Sequence, residues 1–264
     1  MSEAVMTEQV LARQVLPGGI VRLTLNRPQA FNALSEDLLT TLQVELDAIA
    51  ANPATRVVIL AGAGKAFCAG HDLKEMRAEP STDYYKQLFA QCSRMMMTIQ
   101  RMPQPVIAQV HGIATAAGCQ LVAMCDLAVA DEEARFAVSG INYGLFCATP
   151  SVGLSRNMSR KQALEMLLTG DFISAQEAKE KGLVNQVVPV DELAHQTHSL
   201  AQKIAAKPEV AVRMGKRLFY EQLETGMAKA YELAGQTMAC NMMSPDALEG
   251  VQAFIEKRKP NYKL

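Results

Sequence analysis

Val21-Arg22-Leu23-Thr24-Leu25 alternates apolar and polar side chains with a period of two, the pattern of a strand with one face on a core, and Asn26-Arg27-Pro28 ends it. Leu38, Leu42, Leu46 and Ile49 then recur at helical spacing, which predicts a helix from about Ser35 that Pro53 closes. Val57-Val58-Ile59-Leu60 is a continuous apolar run ending in Gly62 and Gly64, as expected of a buried strand that enters a tight turn. Tyr84 to Met102 reads as a helix, and Pro105 to Val110 as a second buried strand. Gly112 to Gly118 is a turn of small residues, with a helix starting near Ala117. Ser174-Ala175-Gln176-Glu177 is a capping box, Gly182 is the stop of that helix, and Val187-Val188 is a short strand. From Asp191 onward the strand signal is gone, and helices are predicted at about 191–206, 208–223, 226–242 and 245–257. Ser244 and Pro245 form an N-cap and first-turn pair for the last of them.

Strand, turn and helix alternate through the first three quarters of the chain, which argues an α/β class. The chain divides softly into an α/β core, residues 1–200, and a helical oligomerisation region, residues 201–264, with no internal repeat. In that region Met227, Tyr231, Met238, Met242 and Met243 fall at partly helical spacing. Packing of helix on core is the plain reading of them; a subunit interface is the sharper one, because flexible Met side chains adapt to partner surfaces.

Composition narrows the functions. Twenty-six basic and 27 acidic residues give a net charge of -1, so no global field draws nucleic acid or an acidic membrane, and Trp is absent. Six cysteines never form a C-x-x-C pair and several sit in apolar company, which suggests buried free thiols in a reducing compartment. His195 and His198 have no further ligands nearby, so no metal site is expected. Met1 to Val10 resembles neither a signal peptide nor a basic presequence, and a cytoplasmic location is the default expectation. The apolar run 120–130 is too short to span a membrane and carries Asp126.

Two strand–turn–helix units carry the candidate chemistry. The loop from Gly62 to Lys74 follows a buried strand but has neither the spacing of a Walker loop nor a Rossmann fingerprint. A second unit runs over 105–130 and contains Ala116-Ala117-Gly118-Cys119-Gln120. Two such turns can aim two backbone N–H groups at one point, and a helix N-terminus adds its dipole, which together suit an enolate-like oxygen. Ala69-Gly70 and Ala114 through Gly118 are small enough to let a thioester approach the backbone.

At these residues the chain resembles the crotonase (enoyl-CoA hydratase/isomerase) family over essentially its whole length. The matching segments are Leu25-Asn26-Arg27-Pro28 with Asn32-Ala33-Leu34, then Lys65 through Lys74, Pro105-Val106-Ile107-Ala108 with His111-Gly112, and Gly118-Cys119-Gln120-Leu121 with Cys125-Asp126. Leu167 to Gly170, Ile173-Ser174-Ala175, Gly182-Leu183-Val184 and Glu256 to Pro260 follow in order. Gly118-Cys119-Gln120 and Gly144 to Pro150 carry a closer match to one group within the family. The resemblance implies a crotonase-like spiral of ββα turns with a C-terminal helical trimerisation region, assembled as a homotrimer or a dimer of trimers. It implies an acyl-CoA or enoyl-CoA partner, with coenzyme A as part of the substrate and no permanently bound cofactor, metal, nicotinamide or flavin. The backbone N–H groups of His71 and Ala117 would form the oxyanion hole. The coenzyme A moiety would run past Arg27, Ala30, Ala69, His71, Asp72, Leu73 and Lys74, with Lys257 and Lys259 as further phosphate contacts; a solvated C-terminal charge run is the alternative for those two.

The chain departs from the family at two decisive positions. Hydratases place glutamates where this chain has Gln120 and Gly140. Gln exchanges no proton near neutral pH and Gly has no side chain, whereas a general acid or base is worth about 10²–10⁴ in rate. Ala117 stands where glycine is common but keeps its N–H. Among possible substitutes, a partly exposed His71 side chain, a structural His111 and a solvated or coenzyme A-adjacent Asp72 or Glu75 are the expected readings, and Cys119 lacks an evident base. Ser139, Asn142, Tyr143, Cys147 and Thr149 lie in the segment that should line the acyl end, without forming an obvious acid/base pair. The sequence therefore points to an acyl-CoA-binding enzyme of lyase or isomerase type whose reaction stays open. The alternatives are a non-catalytic acyl-CoA-binding pseudoenzyme and a hydratase that uses substitute residues.

Overall fold

A computed structural model describes residues 9–78 and 80–262; most of the Met1–Val10 reading lies outside them. The main sheet has six strands: β1 (Leu11–Leu16), β2 (Ile20–Leu25), β3 (Val57–Gly62), β4 (Val106–Val110), β6 (Leu127–Asp131) and β9 (Gln186–Val188), side by side in that order. β1 and β2 pair antiparallel and the remaining pairs are parallel. A second sheet has the order β5 (Ile113–Thr115), β7 (Arg135–Ala137), β8 (Ile173–Ser174). Its first strand lies inside the segment that the sequence presents as a small-residue turn. β1 is missed by the sequence pattern because Leu11 is its one buried residue and no period-two core face shows.

Alternation sorts the strand side chains onto two cores. Val21, Leu23, Leu25, Val58, Leu60, Val106 and Ala108 face the larger one, against Leu38, Leu39, Leu42 and Ile49 of α1 (Glu36–Ala50) and Met95, Met96 and Ile99 of α3 (Thr82–Arg101). Ile20, Val57, Ile59, Ile107 and Val129 face the other, under Leu193 and Ala201 of α8 (Leu193–Ala205). α8 thus runs across residue 200 and packs on the sheet, so a division at that residue would cut a core helix. The helices beyond it are α9 (Glu209–Leu223), α10 (Met227–Met242) and α11 (Pro245–Ile255). Ser35, Ser174 and Ser244 cap their helices with side-chain oxygens, and Glu177 completes the capping box read at Ser174.

One buried cluster fastens α9 to the sheet. The Lys216 ammonium donates to the carbonyls of Ile99 and Gln104 and to Asp126 Oδ2, each at 2.7–2.8 Å. Tyr220 donates to Asp126 Oδ1 at 2.9 Å, and the Val106 N–H donates to Oδ2 at 2.7 Å. Burial pushes the Asp126 carboxyl up and the Lys216 ammonium down, each opposed by its partner. α10 and α11 are otherwise. Met227, Tyr231, Met238 and Met243 are 70–75% exposed and Phe254 84%, so the reading of these methionines as packing on the core is corrected.

Candidate functional site

The loop after β3 is held by two side chains that enter it from the end of β2. Asn32, fully buried with φ 54°, accepts the Arg27 N–H on Oδ1 and donates through Nδ2 to the carbonyls of Ala63 and Ala66. Asn tolerates that left-handed backbone better than other non-glycine residues. The Arg27 guanidinium donates to Asp72 Oδ2 at 2.9 Å and to the Ala33 carbonyl. Asp72 Oδ1 in turn accepts the Lys74 N–H at the start of α2 (Leu73–Ala78), and Arg27 holds its carboxyl below the usual range despite partial burial. Arg27 and Asp72 are therefore committed to each other and to the loop. Leu73, the first residue of α2, is 60% exposed, and Lys74 follows it in the helix.

These contacts orient the His71 N–H. Leu34 and His71 form a parallel bridge in which Leu34 donates to the Gly70 carbonyl at 2.7 Å and Asp72 donates to the Leu34 carbonyl at 3.2 Å. The peptide of His71 consequently turns its own N–H away from Leu34. Gly70 has φ +95° and sits against the start of α4 (Ala117–Met124): a Cβ there would lie 3.2 Å from the Ala117 nitrogen. Ala69 and Gly70 thus lay the loop directly on the Ala116–Ala117 turn. Among the described residues neither the His71 nor the Ala117 N–H meets an acceptor in the chain. Ala116 holds φ 51°, ψ -120° without being glycine, local strain of the kind that collects at functional turns. Gly118 is required for packing, since a Cβ would stand 2.1 Å from the Cys68 carbonyl.

Gln120 lies one turn into α4, 4% exposed, and its Oε1 has no hydrogen-bond partner. Helical side chains lean toward the N-terminus, which directs Gln120 toward the Ala116–Ala117 turn. Ser139 and Gly140 are fastened to the same turn: Thr115 Oγ1 and Ser139 Oγ are 2.9 Å apart, and the Ala116 N–H donates to the Ala137 carbonyl at 3.0 Å. Gly140 lies in a 3-10 turn, Ser139–Tyr143, whose return at Gly144 (φ 78°) folds the chain back on itself. A Cβ at Gly140 would be 2.5 Å from the Leu145 carbonyl oxygen and 2.8 Å from Cys147 Sγ. The place of a side chain at 140 is thus occupied.

His71 is intermediate in burial, in line with the expected partly exposed side chain, but its ring nitrogens are shielded. Both ring nitrogens are buried without a partner, and the ring meets Phe89 of α3 edge-on at 5.5 Å. Burial pulls its pKa down to about 4, partly offset by the Leu34 backbone, so the ring is neutral near pH 7. His111 is structural as expected, its Nε2 2.9 Å from the Gly64 carbonyl. Cys119 is fully buried and burial pushes its thiol up to about 12. Ala30 ends the short turn Pro28–Ala30 beside the loop. Lys257 (φ 55°) follows α11, and among the described residues no hydrogen bond or ion pair joins Lys257 or Lys259 to residues 62–74. Arg258 between them pairs with Glu249 and Glu256, while all three residues of the run remain exposed.

The sequence profile of the Enoyl-CoA hydratase/isomerase family matches residues 16–264. The chain belongs to the enoyl-CoA hydratase/isomerase family. It is similar to the mitochondrial enoyl-CoA hydratase domain-containing protein 3 of Xenopus laevis, 47% identical over 242 residues, 92% of this chain and 82% of that protein. The human protein of the same name is 47% identical over 249 residues, 94% of this chain and 82% of its own length. This is the group to which Gly118–Gln120 and Gly144–Pro150 pointed. Among solved structures, an enoyl-CoA hydratase of Mycobacterium smegmatis is 61% identical with a TM-score of 0.96, covering 97% of this chain and 100% of that one. The human domain-containing protein 3 structure is 45% identical with a TM-score of 0.92, covering 96% and 100%. The crotonase-type α/β architecture with C-terminal helices is thereby established. The relatives named above as domain-containing protein 3 are called mitochondrial, and lend the cytoplasmic expectation no support. Among the described residues no helix is long and apolar enough to cross a membrane.

Proposed function

We propose that this family member binds acyl-CoA thioesters and stabilises their enolate through the backbone N–H groups of His71 and Ala117. The carrying observation is that the N–H groups of His71 and Ala117 meet no acceptor among the described residues, on two turns that pack together at Gly70. The dipole of α4 adds to the second of them. Arg27 and Asp72 act in this reading by holding the loop, and Ala30, Ala69, Leu73 and Lys74 flank the path of the coenzyme A moiety. Gln120 and Gly140 remove both carboxylates of a hydratase, so simple hydration is not the reaction we assign. That same lack favours a second reading, a carrier that binds thioesters without turnover.

Acetoacetyl-CoA tests the proposal, because its enolate absorbs distinctly from its keto form. One oxyanion donor is worth about 10²-fold or more. Enolate absorbance in the bound ligand is therefore expected to appear at a pH at least about two units below that of free acetoacetyl-CoA. Binding with the free-ligand titration unchanged would leave the carrier and dismiss the hole; absence of binding would dismiss the thioester reading. We infer also that the apolar faces of α10 and α11, with Met227, Tyr231, Met238 and Phe254 exposed, close a homotrimer or a dimer of trimers. A monomer in analytical ultracentrifugation at micromolar concentration would refute this.

A further inference from the structure

The 139–147 segment places a thiol where the missing side chain would be. Cys147 is the N-cap residue of α5 (Ala148–Asn157), and it is returned to Gly140 by the 3-10 turn and the left-handed Gly144. Its Sγ lies 2.8 Å from the Cβ position of Gly140, and burial pushes its thiol up, partly opposed by the Gly140 backbone. Cys147 makes no side-chain capping hydrogen bond at the start of α5. Cys147 is 6% exposed, and Ser139, next to Gly140 in the chain, is bonded to Thr115, two residues from Ala117. A separate observation points to a ligand at this place: the buried, unpartnered Oε1 of Gln120, one turn into α4 from the Thr115–Ala116 segment to which Ala137 and Ser139 are bonded. Cys147 is also close enough to Cys119, the residue before Gln120, to raise its thiol further.

We propose that the Cys147 thiol is the proton donor and acceptor at the α-carbon of the bound acyl group, standing in the space a side chain at position 140 would fill. This rests on the acyl-CoA reading above. In the protonating direction, the electron pair of the enolate double bond forms the new C–H bond with the S–H proton, and the thioester carbonyl is restored. The S–H pair stays on sulfur as a thiolate, which water reprotonates with release of hydroxide to solvent. In the reverse direction the thiolate takes the α-proton, the C–H pair becomes the enolate double bond, and the carbonyl π pair passes to the oxygen, which the N–H groups of His71 and Ala117 would stabilise. Burial raises the thiol above its ordinary range, so Cys147 rests in the protonated, donating form at neutral pH. Gln120 holds the substrate by hydrogen bonds and exchanges no proton.

The test is α-hydrogen exchange of butyryl-CoA in D₂O, read by mass spectrometry, with butyryl-CoA affinity measured in parallel by calorimetry. The wild-type protein is expected to incorporate deuterium at the α-carbon at a rate that climbs with pH as the thiolate forms. Cys147→Ala and the isosteric Cys147→Ser should each lose about 10²-fold or more of that rate. Equal exchange in wild type and both variants would overturn the proposal, as would a wild-type protein that binds butyryl-CoA and exchanges nothing. No binding of butyryl-CoA would instead overturn the thioester reading, and this inference with it. Cys147→Ser keeps the volume and the turn, so its loss of exchange with retained circular dichroism and affinity separates proton transfer from misfolding.

Discussion

Returning glutamate to position 140 should cost stability and yield no hydratase. The Gly140 Cβ position is 2.5 Å from the Leu145 carbonyl oxygen, about 0.8 Å inside an ordinary C···O contact, and 2.8 Å from Cys147 Sγ. The sulfur can rotate away, but the carbonyl belongs to a backbone turn closed by Leu145 N–H to Gly140 O at 3.0 Å and Gly144 N–H to Ile141 O at 3.1 Å. Moving it means opening the turn. Overpacking of this kind costs about 1–3 kcal/mol, so Gly140→Ala should lower Tm by roughly 4–8 °C if the cost is about 2 kcal/mol. Gly140→Glu adds a carboxylate to the same space and should cost at least as much. Adding Cys147→Gly relieves only the sulfur contact, and should recover part of the loss. Gln120→Glu is isosteric and fits, but it places a carboxyl in a site 4% exposed, without a partner for Oε1. Thermal unfolding of the four variants and hydration of crotonyl-CoA by Gln120→Glu/Gly140→Glu provide the assay. A Gly140→Glu protein of unchanged Tm whose double variant hydrates crotonyl-CoA would refute the reasoning. The 139–147 turn would then open freely, and Cys147 would have no claim on the space.

Two further outcomes are expected. Asp126→Ala strands a Lys216 ammonium that is 6% exposed, together with the Tyr220 hydroxyl and the Val106 N–H, and should cost about 3–5 kcal/mol in urea unfolding. Asp126→Ala with Lys216→Met should cost less than the two singles summed, and strict additivity would show that the pair is uncoupled. His71 has a folded pKa of about 4 against 6.5 unfolded, so the unfolded chain binds the proton first as pH falls. Its contribution is fully present above pH 6.5 and is lost between 6.5 and 4, about 3 kcal/mol in all. His71→Phe, which keeps the ring against Phe89, should flatten the stability curve across that window; an unchanged slope would show that the imidazole titrates normally.

What the sequence determined by itself is everything that local patterning controls. The period-two and continuous apolar runs fix β2, β3 and β4 because each contributes buried residues to a sheet face. The serines at 35, 174 and 244 fix helix starts because a cap is satisfied within three residues. The ordered motifs at Asn32–Leu34, Lys65–Lys74 and Gly118–Leu121 were enough to give the family, and Gln120 and Gly140 were legible as departures from it. Tertiary structure decided the rest, because the relevant partners lie far apart in the chain. Nothing near Arg27 announces that its charge is spent on Asp72, 45 residues away, or that Lys216 finds Asp126 across 90 residues. The imidazole of His71 packs edge-on against Phe89, which no local pattern connects to it. The exposure of Met227, Tyr231 and Met238 depends on which helix faces find the core, and one helix-period pattern serves core and interface alike. Cys147 comes to Gly140 only because a 3-10 turn and a left-handed glycine reverse the chain between them. A gap in the sequence reading at position 140 is, in the folded chain, a site already filled.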